Sequence, residues 1–431
     1  MVLRLDATAP GFAESYRRLI RARGERLDQA EEAVRPVLAD VRARGIDAVL
    51  EYAARFDGVS QKVSDLRVEA REVDAAVAAC APDLLKALEL AAERVALFHE
   101  RLRPRDETFV DAQGVTLGWR WTPVDAAGLY APGGLAAYPS AVLMNAIPAR
   151  VAGVQRLAMV SPPGKLLQNP AILAAAKIAG VTEIWRVGGA QAIAALAYGA
   201  GPIAACDVVV GPGNAYVAAA KKLVFGDVGV DSIAGPSEVF VVADASVDPR
   251  WIAADLLAQA EHDPDAQSVL FTTDRAFGDA VAAAVEADIA AGRAGPSARV
   301  SWDSYGAVIH IARIEDAAEL IDAAAPEHVQ LALADPAPLA ARIRHAGALF
   351  LGAYAPEALG DYVAGPNHVL PTGRRARFAS GLSTLTFMKR TTIIGASQAG
   401  VAAIGGAAAR LADAEGLPAH ARSVRLRLGD E

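Results

Sequence analysis

Between residues 126 and 224 one unit recurs four times: a short apolar run, a turn rich in glycine or proline, then an alanine-rich helical stretch. "AAGLYA" (126–131) leads into Pro132-Gly133-Gly134 ahead of a helix near 140–150. "RLAMVS" (156–161) precedes a helix near 170–179. "EIWRV" (183–187) runs into "GGAQA", and "DVVV" (207–210) into "GPGN", each opening another helix. Strands that each return through a helix lie parallel, with both faces covered. A second series starts near 237 with "SEVFVVAD", followed by a helix at 249–262, "SVLFTT", "AVIHIA", "HVQLAL" and "ALFLG", each spaced by helical sequence. The chain therefore reads as two doubly wound α/β units flanked by helical ends.

Length supports this division, since 431 residues exceed what one core ordinarily organises. A hydrophobic content of 53% with 21% charged residues excludes disorder. The net charge of -8 argues against sequence-independent nucleic-acid binding, which needs basic surface. Two cysteines, Cys80 and Cys206, are too few for a disulfide framework and form no CxxC pair. No secretory signal is visible in "MVLRLDATAPGF", and the uncharged run 391–409 is rich in Gly and Ala, so it reads as a packed helix with its leader rather than a membrane span. The expected location is cytoplasmic, with no nucleic-acid or membrane partner.

The first hundred residues read as helical. Leu84, Leu88, Ala91, Val95, Phe98 and Leu102 mark one face of an amphipathic helix, with His99 a structural residue beside it. Asp248 and Pro249 suit the N-cap and first turn of the next informative helix. Its apolar stripe, Ile252 and Leu256, ends in Gln259 and then His262. These two are helical neighbours in a last turn. Either they form a buried hydrogen-bonded pair, or they are offered to a metal or substrate.

Other polar groups could join them. Glu327 and His328 stand between a helix and a strand, an adjacent carboxylate and imidazole suited to acid/base work. Asp361 and His368 lie in "LGDYVAGPNHVLPTG", a loop placed by sequence order at the carboxyl end of the strand 348–352. Glu415 and His420 flank the tight corner "EGLPAH", with Gly416 past one helix end and Pro418 in the first turn of the next. Gln259, His262, Asp361 and His420 make a sulfur-free N/O set that suits a divalent metal such as zinc. His310 and His345 read as structural. The glycine turns could bring a ligand to helix N-termini, yet no G-x-G-x-x-G follows any strand.

Eight blocks in order, "GLYAPGG", "RVGGAQA", "GPGNAYVAAAK", "IAGPSEV", "LLAQAEHDPDAQ", "PEHVQL", "GPNHVLPTG" and "EGLPAH", resemble the histidinol dehydrogenase family from about residue 120 to the C-terminus. The resemblance implies two incomplete Rossmann-like parallel-sheet domains with small helical terminal segments. The expected boundaries are 1–25, 26–125 with 237–380 (catalytic and zinc side), 126–236 (NAD side) and 381–431. It implies four-electron oxidation of L-histidinol to L-histidine through L-histidinal, with two NAD⁺, zinc, and a homodimer whose C-terminal segment reaches the partner's site. Carried over, Gln259, His262, Asp361 and His420 match zinc ligands, and Glu327 and His328 the catalytic pair. Ser237, His368 and Glu415 match substrate positions, and Tyr130, Gln191 and Asn214 the NAD positions. Two further readings are a related zinc dehydrogenase of another alcohol, which His368 and Glu415 disfavour, and a metal hydrolase, which would leave the glycine turns idle. A non-catalytic binding protein fits poorly with a complete acid/base and ligand set.

Overall fold

The computed structural model describes residues 2–22, 26–132, 138–164, 169–233 and 235–430; the expected Gly133–Gly134 turn lies outside them. The first series forms a five-stranded parallel sheet in the order Glu183–Trp185, Arg156–Val160, Ala126–Tyr130, Val208–Val210, Gly229–Val230. The second series forms a six-stranded parallel sheet in the order Leu3–Asp6, Ala307–His310, Gln267–Thr272, Glu238–Ala243, His328–Ala332, Ala348–Leu351. Counted within each series, both sheets run third, second, first, fourth, fifth. That is the doubly wound dinucleotide-binding order without its last strand, so the expectation of two incomplete Rossmann-like domains holds.

Alternation along each strand divides the core. In the five-stranded sheet, Ala127, Leu129, Leu157 and Met159 face the helices Pro139–Ala152 and Pro170–Ala179, while Ala126, Tyr130, Ala158 and Val160 face Gly189–Tyr198 and Ala215–Val224. Glycine in the strand lets the helix Gly189–Tyr198 sit close: a Cβ on Gly128 would stand 2.9 Å from Leu196 Cδ1. In the six-stranded sheet, Val239, Val241 and Leu270 face the helices Pro249–Ala260 and Arg275–Ala290. Phe240, Phe271 and Leu331 face Phe12–Arg21 and Ala317–Ala324.

Three boundaries differ from the sequence reading. The helices between 26 and 101 complete the core of the five-stranded sheet rather than joining 237–380: Val34, Val37 and Val41 cover one face, Leu88, Ala91 and Val95 the other. An amphipathic helix goes where an apolar sheet face stands uncovered, and sequence order does not say which face that is. Residues 1–25 are not only helical, because Leu3–Asp6 adds a parallel edge strand beside Ala307–His310. Nor is 381–431 all helix. Met388–Ala396 pairs antiparallel with Val115–Pro123, which pairs with Glu107–Val110. Consecutive β-branched residues, Thr391 to Ile394, favour the extended form, and the helix starts only at Gln398 after the Ser397 cap.

The helix Pro82–Arg101 buries only the middle of its stripe; Leu84, Phe98 and Leu102 remain exposed. His99 is fully buried, with its Nδ1 unpartnered among the described residues and its Nε2 3.5 Å from Asn367 Nδ2. Burial lowers its pKa to about 4. Below the ordinary value of 6.5 the unfolded chain therefore takes up a proton that the folded ring refuses. The stabilising contribution is complete above 6.5 and is lost as pH falls toward 4. His99→Gln should flatten the fall in urea-unfolding free energy between about pH 7 and pH 5, though not abolish it, because His328 is also held down. An unchanged slope would show that the His99 ring is not the proton acceptor.

Candidate active site

Two backbone amides fix the Glu327 and Glu238 carboxylates. Glu327 Oε2 accepts the Glu238 N–H and Glu238 Oε2 accepts the Glu327 N–H, each at 3.2 Å. This reciprocal pair ties the starts of two neighbouring strands, the first and fourth of their series. Ser237 hydrogen-bonds the Glu327 side chain. Burial drives the Glu327 carboxyl well above its ordinary range, and the charges of Glu238 and Asp361 push the same way.

His328 Nδ1 lies 3.2 Å from the Glu238 carbonyl oxygen. A carbonyl only accepts, so Nδ1 carries the proton and Nε2 is the basic nitrogen. Burial lowers the pKa of His328 to about 4, keeping the ring neutral. Glu357 Oε1 stands 3.4 Å from the same Nδ1, while Glu357 Oε2 is buried without a hydrogen-bond partner among the described residues.

His328, Gln330 and Ala332 share the sheet face that the helix Pro249–Ala260 covers. Asp255 and Gln259 are one turn apart on that helix. Asp255 accepts from Gln330 Nε2 at 2.7 Å, and burial raises its carboxyl to about 6. Gln259 is completely buried, and neither Nε2 nor Oε1 has a hydrogen-bond partner among the described residues. A buried amide left wholly unsatisfied costs about 1–3 kcal/mol per group, so it marks a place built for something else.

His262 supplies the second donor. Its Nε2 is 3.7 Å from Asp361 Oδ2, too long for a hydrogen bond but right for two donors sharing one ion. His262, Glu357 and Asp361 bring donor atoms within 4.8 Å of one another. The donor set is nitrogen and oxygen throughout, and it fits zinc. His368 Nδ1 donates to the Asp361 carbonyl at 2.9 Å, which leaves its Nε2 available.

This placement corrects one expectation. The loop after Ala348–Leu351 does not stay at the carboxyl edge of the six-stranded sheet. The helix Glu357–Tyr362 folds back, so that Glu357 and Asp361 meet His328 and His262 at the amino edge. The carboxyl edge carries ion-paired structure instead, with Asp6 bound to Arg275 and 3.5 Å from His310. Beyond the helix, Asn367 Nδ2 donates to the Met144 carbonyl at 2.6 Å and Arg94 holds the Val363 and Ala364 carbonyls, so the loop is moored to helices of the other sheet.

Tyr130, Gln191 and Asn214 stand together at the carboxyl edge of the five-stranded sheet. The Tyr130 hydroxyl accepts the Gly189 N–H at 3.1 Å. Gln191 is fully buried, donates to Asp57 at 3.3 Å and has no partner at Oε1 among the described residues. Asn214 caps its helix by accepting from Tyr216 and Val217. Glu415 and His420 are not brought to either group. Both are exposed, on a hairpin made by the helices Gln398–Ala414 and Pro418–Leu428, and neither bonds the other candidate ligands among the described residues. Gly416, with φ +71°, and Pro418 make the corner as expected. Cys206 is pushed up to about 12 by burial and Cys80 is raised, so neither offers a thiolate.

Sequence reading missed Glu357, Glu238 and Asp255. Helical spacing could have found two of them: Glu357 is four residues before Asp361, and Asp255 four before Gln259.

Two doubly wound sheets, with a buried glutamate and a buried histidine beside an N/O donor cluster, define the class: an α/β protein with the makings of an enzyme site. A profile of the histidinol dehydrogenase family matches residues 20–428. The chain is 57% identical over 429 residues to the histidinol dehydrogenase of Rhodospirillum rubrum and 55% identical over 425 residues to that of Gluconobacter oxydans, covering 99% of both chains in each case. It superposes on the crystal structure of histidinol dehydrogenase from Elizabethkingia anophelis with a TM-score of 0.92 at 32% identity, covering 100% of this chain and 98% of that one. The chain belongs to the histidinol dehydrogenase family and is an oxidoreductase.

Gln259→Met should stabilise the chelator-treated protein by about 1–3 kcal/mol in denaturant unfolding, since it removes two unsatisfied buried polar atoms at similar volume. Destabilisation would mean that the amide is satisfied without a metal.

Proposed function

We propose that the chain oxidises L-histidinol through L-histidinal to L-histidine, as a zinc- and NAD-dependent homodimer of the cytoplasm. The observation that carries the reading is the wholly unsatisfied Gln259 amide beside His262 and Asp361, next to a fixed glutamate and a neutral histidine. No helix among the described residues is long and apolar enough to cross a membrane.

Gln259, His262 and Asp361 would hold the metal from one chain, with His420 coming from the partner. Zinc, when bound, would hold the substrate's imidazole and amine and so orient the carbinol. His328 would accept the hydroxyl proton at Nε2, while its Nδ1 stays anchored to the Glu238 carbonyl. Glu327 would take a proton from water as that water adds to the aldehyde. Its amide tie to Glu238 aims it, and a carboxyl held above its ordinary range is the stronger base. His328 would then serve the second oxidation in the same way. Ser237 beside Glu327, and His368 with its free Nε2, would contact substrate, and Glu415 of the partner subunit would complete that site. Tyr130, Gln191 and Asn214 would frame the cofactor at the carboxyl edge of the five-stranded sheet, where doubly wound sheets bind nucleotides.

The exposed hairpin supports a shared site. Leu411, Leu417 and Leu426 lie open on it near Glu415 and His420. Mixing His420→Ala chains with Gln259→Ala chains should restore activity that neither variant has alone, because one of the two sites then keeps all its ligands. No restoration would place all ligands in one chain.

The reaction is tested by counting NADH per L-histidinol. Two are expected, lost on chelation and regained with zinc; one would mean that oxidation stops at the aldehyde. His328→Asn should slow both oxidations by about 10²–10⁴-fold, and Glu327→Gln should slow the second far more than the first. Equal slowing of both by Glu327→Gln would remove its water-activating role.

A further inference from the structure

Lys221 is a charged residue that the mechanism does not use. It lies on the helix Ala215–Val224, and its side chain is 2% exposed, as is the side chain of its ion-pair partner Asp231. Both point at one residue. Lys221 Nζ donates to the Gly211 carbonyl at 2.9 Å, and Asp231 Oδ2 accepts the Gly211 N–H at 2.9 Å. A buried ion pair thus holds both backbone groups of the first residue of the "GPGN" turn.

Stability is a poor reason for such a pair. Removing two charges from water costs several kcal/mol each in effective terms, and well-packed apolar residues of like volume often serve as well. The Ala- and Val-rich surroundings on this sheet face would accept them. What apolar residues could not do is hold an N–H and a C=O at a turn that belongs to neither strand nor helix.

The turn has little freedom in other directions. Gly211 has φ +116°, and a Cβ there would fall 2.3 Å from the Tyr130 carbonyl oxygen. A Cβ on Gly213 would fall 2.4 Å from Val217 Cγ1. Asn214 closes the turn by capping the helix. Tyr130, pressed against Gly211, reaches with its hydroxyl to the Gly189 N–H of the other glycine turn. The ion pair therefore stands beneath a connected surface of Gly211, Asn214, Tyr130 and Gly189.

We infer that Lys221 and Asp231 are positioning residues that clamp the 211–214 turn in its cofactor-binding shape. The inference rests on the proposed NAD reading of Tyr130, Gln191 and Asn214. The clamp acts through the Gly211 backbone and touches no reacting atom.

The test is a fluorescence titration of NADH into the full-length zinc-loaded protein and its Lys221→Met/Asp231→Leu double variant. Replacing both partners avoids leaving one charge buried alone. The expected result is a Kd for NADH raised on the order of tenfold or more, with zinc content and the KM for L-histidinol within about twofold of wild type. A merely structural pair would lower the melting temperature and leave NADH affinity unchanged, and that outcome overturns the proposal. Should the double variant fail to fold, hydrogen exchange on the wild-type protein decides. The Gly211 amide is expected among the slowest of residues 207–217 without any cofactor; exchange as fast as that of exposed loop amides overturns the clamp. Wild-type protein that binds no NADH sinks the cofactor reading itself, an outcome distinct from normal NADH binding by the double variant.

Discussion

The exchange of N–H bonds between Glu238 and Glu327 is the contact on which the site depends. Both carboxylates are buried where two parallel strands begin, before the ladder hydrogen bonds can satisfy the backbone. Each side chain takes the orphan amide of the other strand. The exchange fixes the register at which His328 emerges, and that register sends Nδ1 to the Glu238 carbonyl. The basic nitrogen is left bare as a consequence of strand pairing. Burial and the neighbouring charge of Glu238 together hold the Glu327 carboxyl well above its usual range, so its carboxylate form binds a proton more strongly than an exposed one would.

A second constraint is the face that His328 shares with Gln330. Residues two apart on a strand point the same way, toward the helix Pro249–Ala260. That helix offers Asp255 and Gln259 one turn apart, so the layer between sheet and helix is polar along one line and apolar elsewhere. The helix Glu357–Tyr362 closes the line from the side. The mooring of the 363–367 segment to Arg94 and Met144 sets its position relative to the other sheet. The two sheets contribute differently: the six-stranded one presents chemistry at its amino edge, and the five-stranded one presents glycine turns at its carboxyl edge.

Much of this was legible in the residues. The apolar runs and helical stretches from 126 to 352 appear as strands and helices close to where the pattern put them, and Asp248, Pro249, Gly416 and Pro418 punctuate as their chemistry requires. Gln259 and His262 stood out because polar groups ended an apolar stripe. Glu357 and Asp255 did not, because an isolated acid on a short or half-polar helix looks like an ordinary solvated one until the chain folds over it. The helices from 26 to 101 pack on the five-stranded sheet and not with 237–380, and their sequence hides this for a related reason. Their amphipathic pattern says that one face is buried, and says nothing about against what.

The sequence by itself determined the parallel α/β class, the doubling of the unit and the residue types at the site, because periodicity and turn chemistry are local properties. Tertiary structure alone decided that Glu357 and Asp361 return to the amino edge, that Gln259 has no hydrogen-bond partner among the described residues, and that Glu415 and His420 stand apart from both groups of that same set. It also decided that Lys221 and Asp231 meet at Gly211. Each of these depends on which surfaces the packing leaves uncovered, and that is fixed only when all the helices have found their sheets.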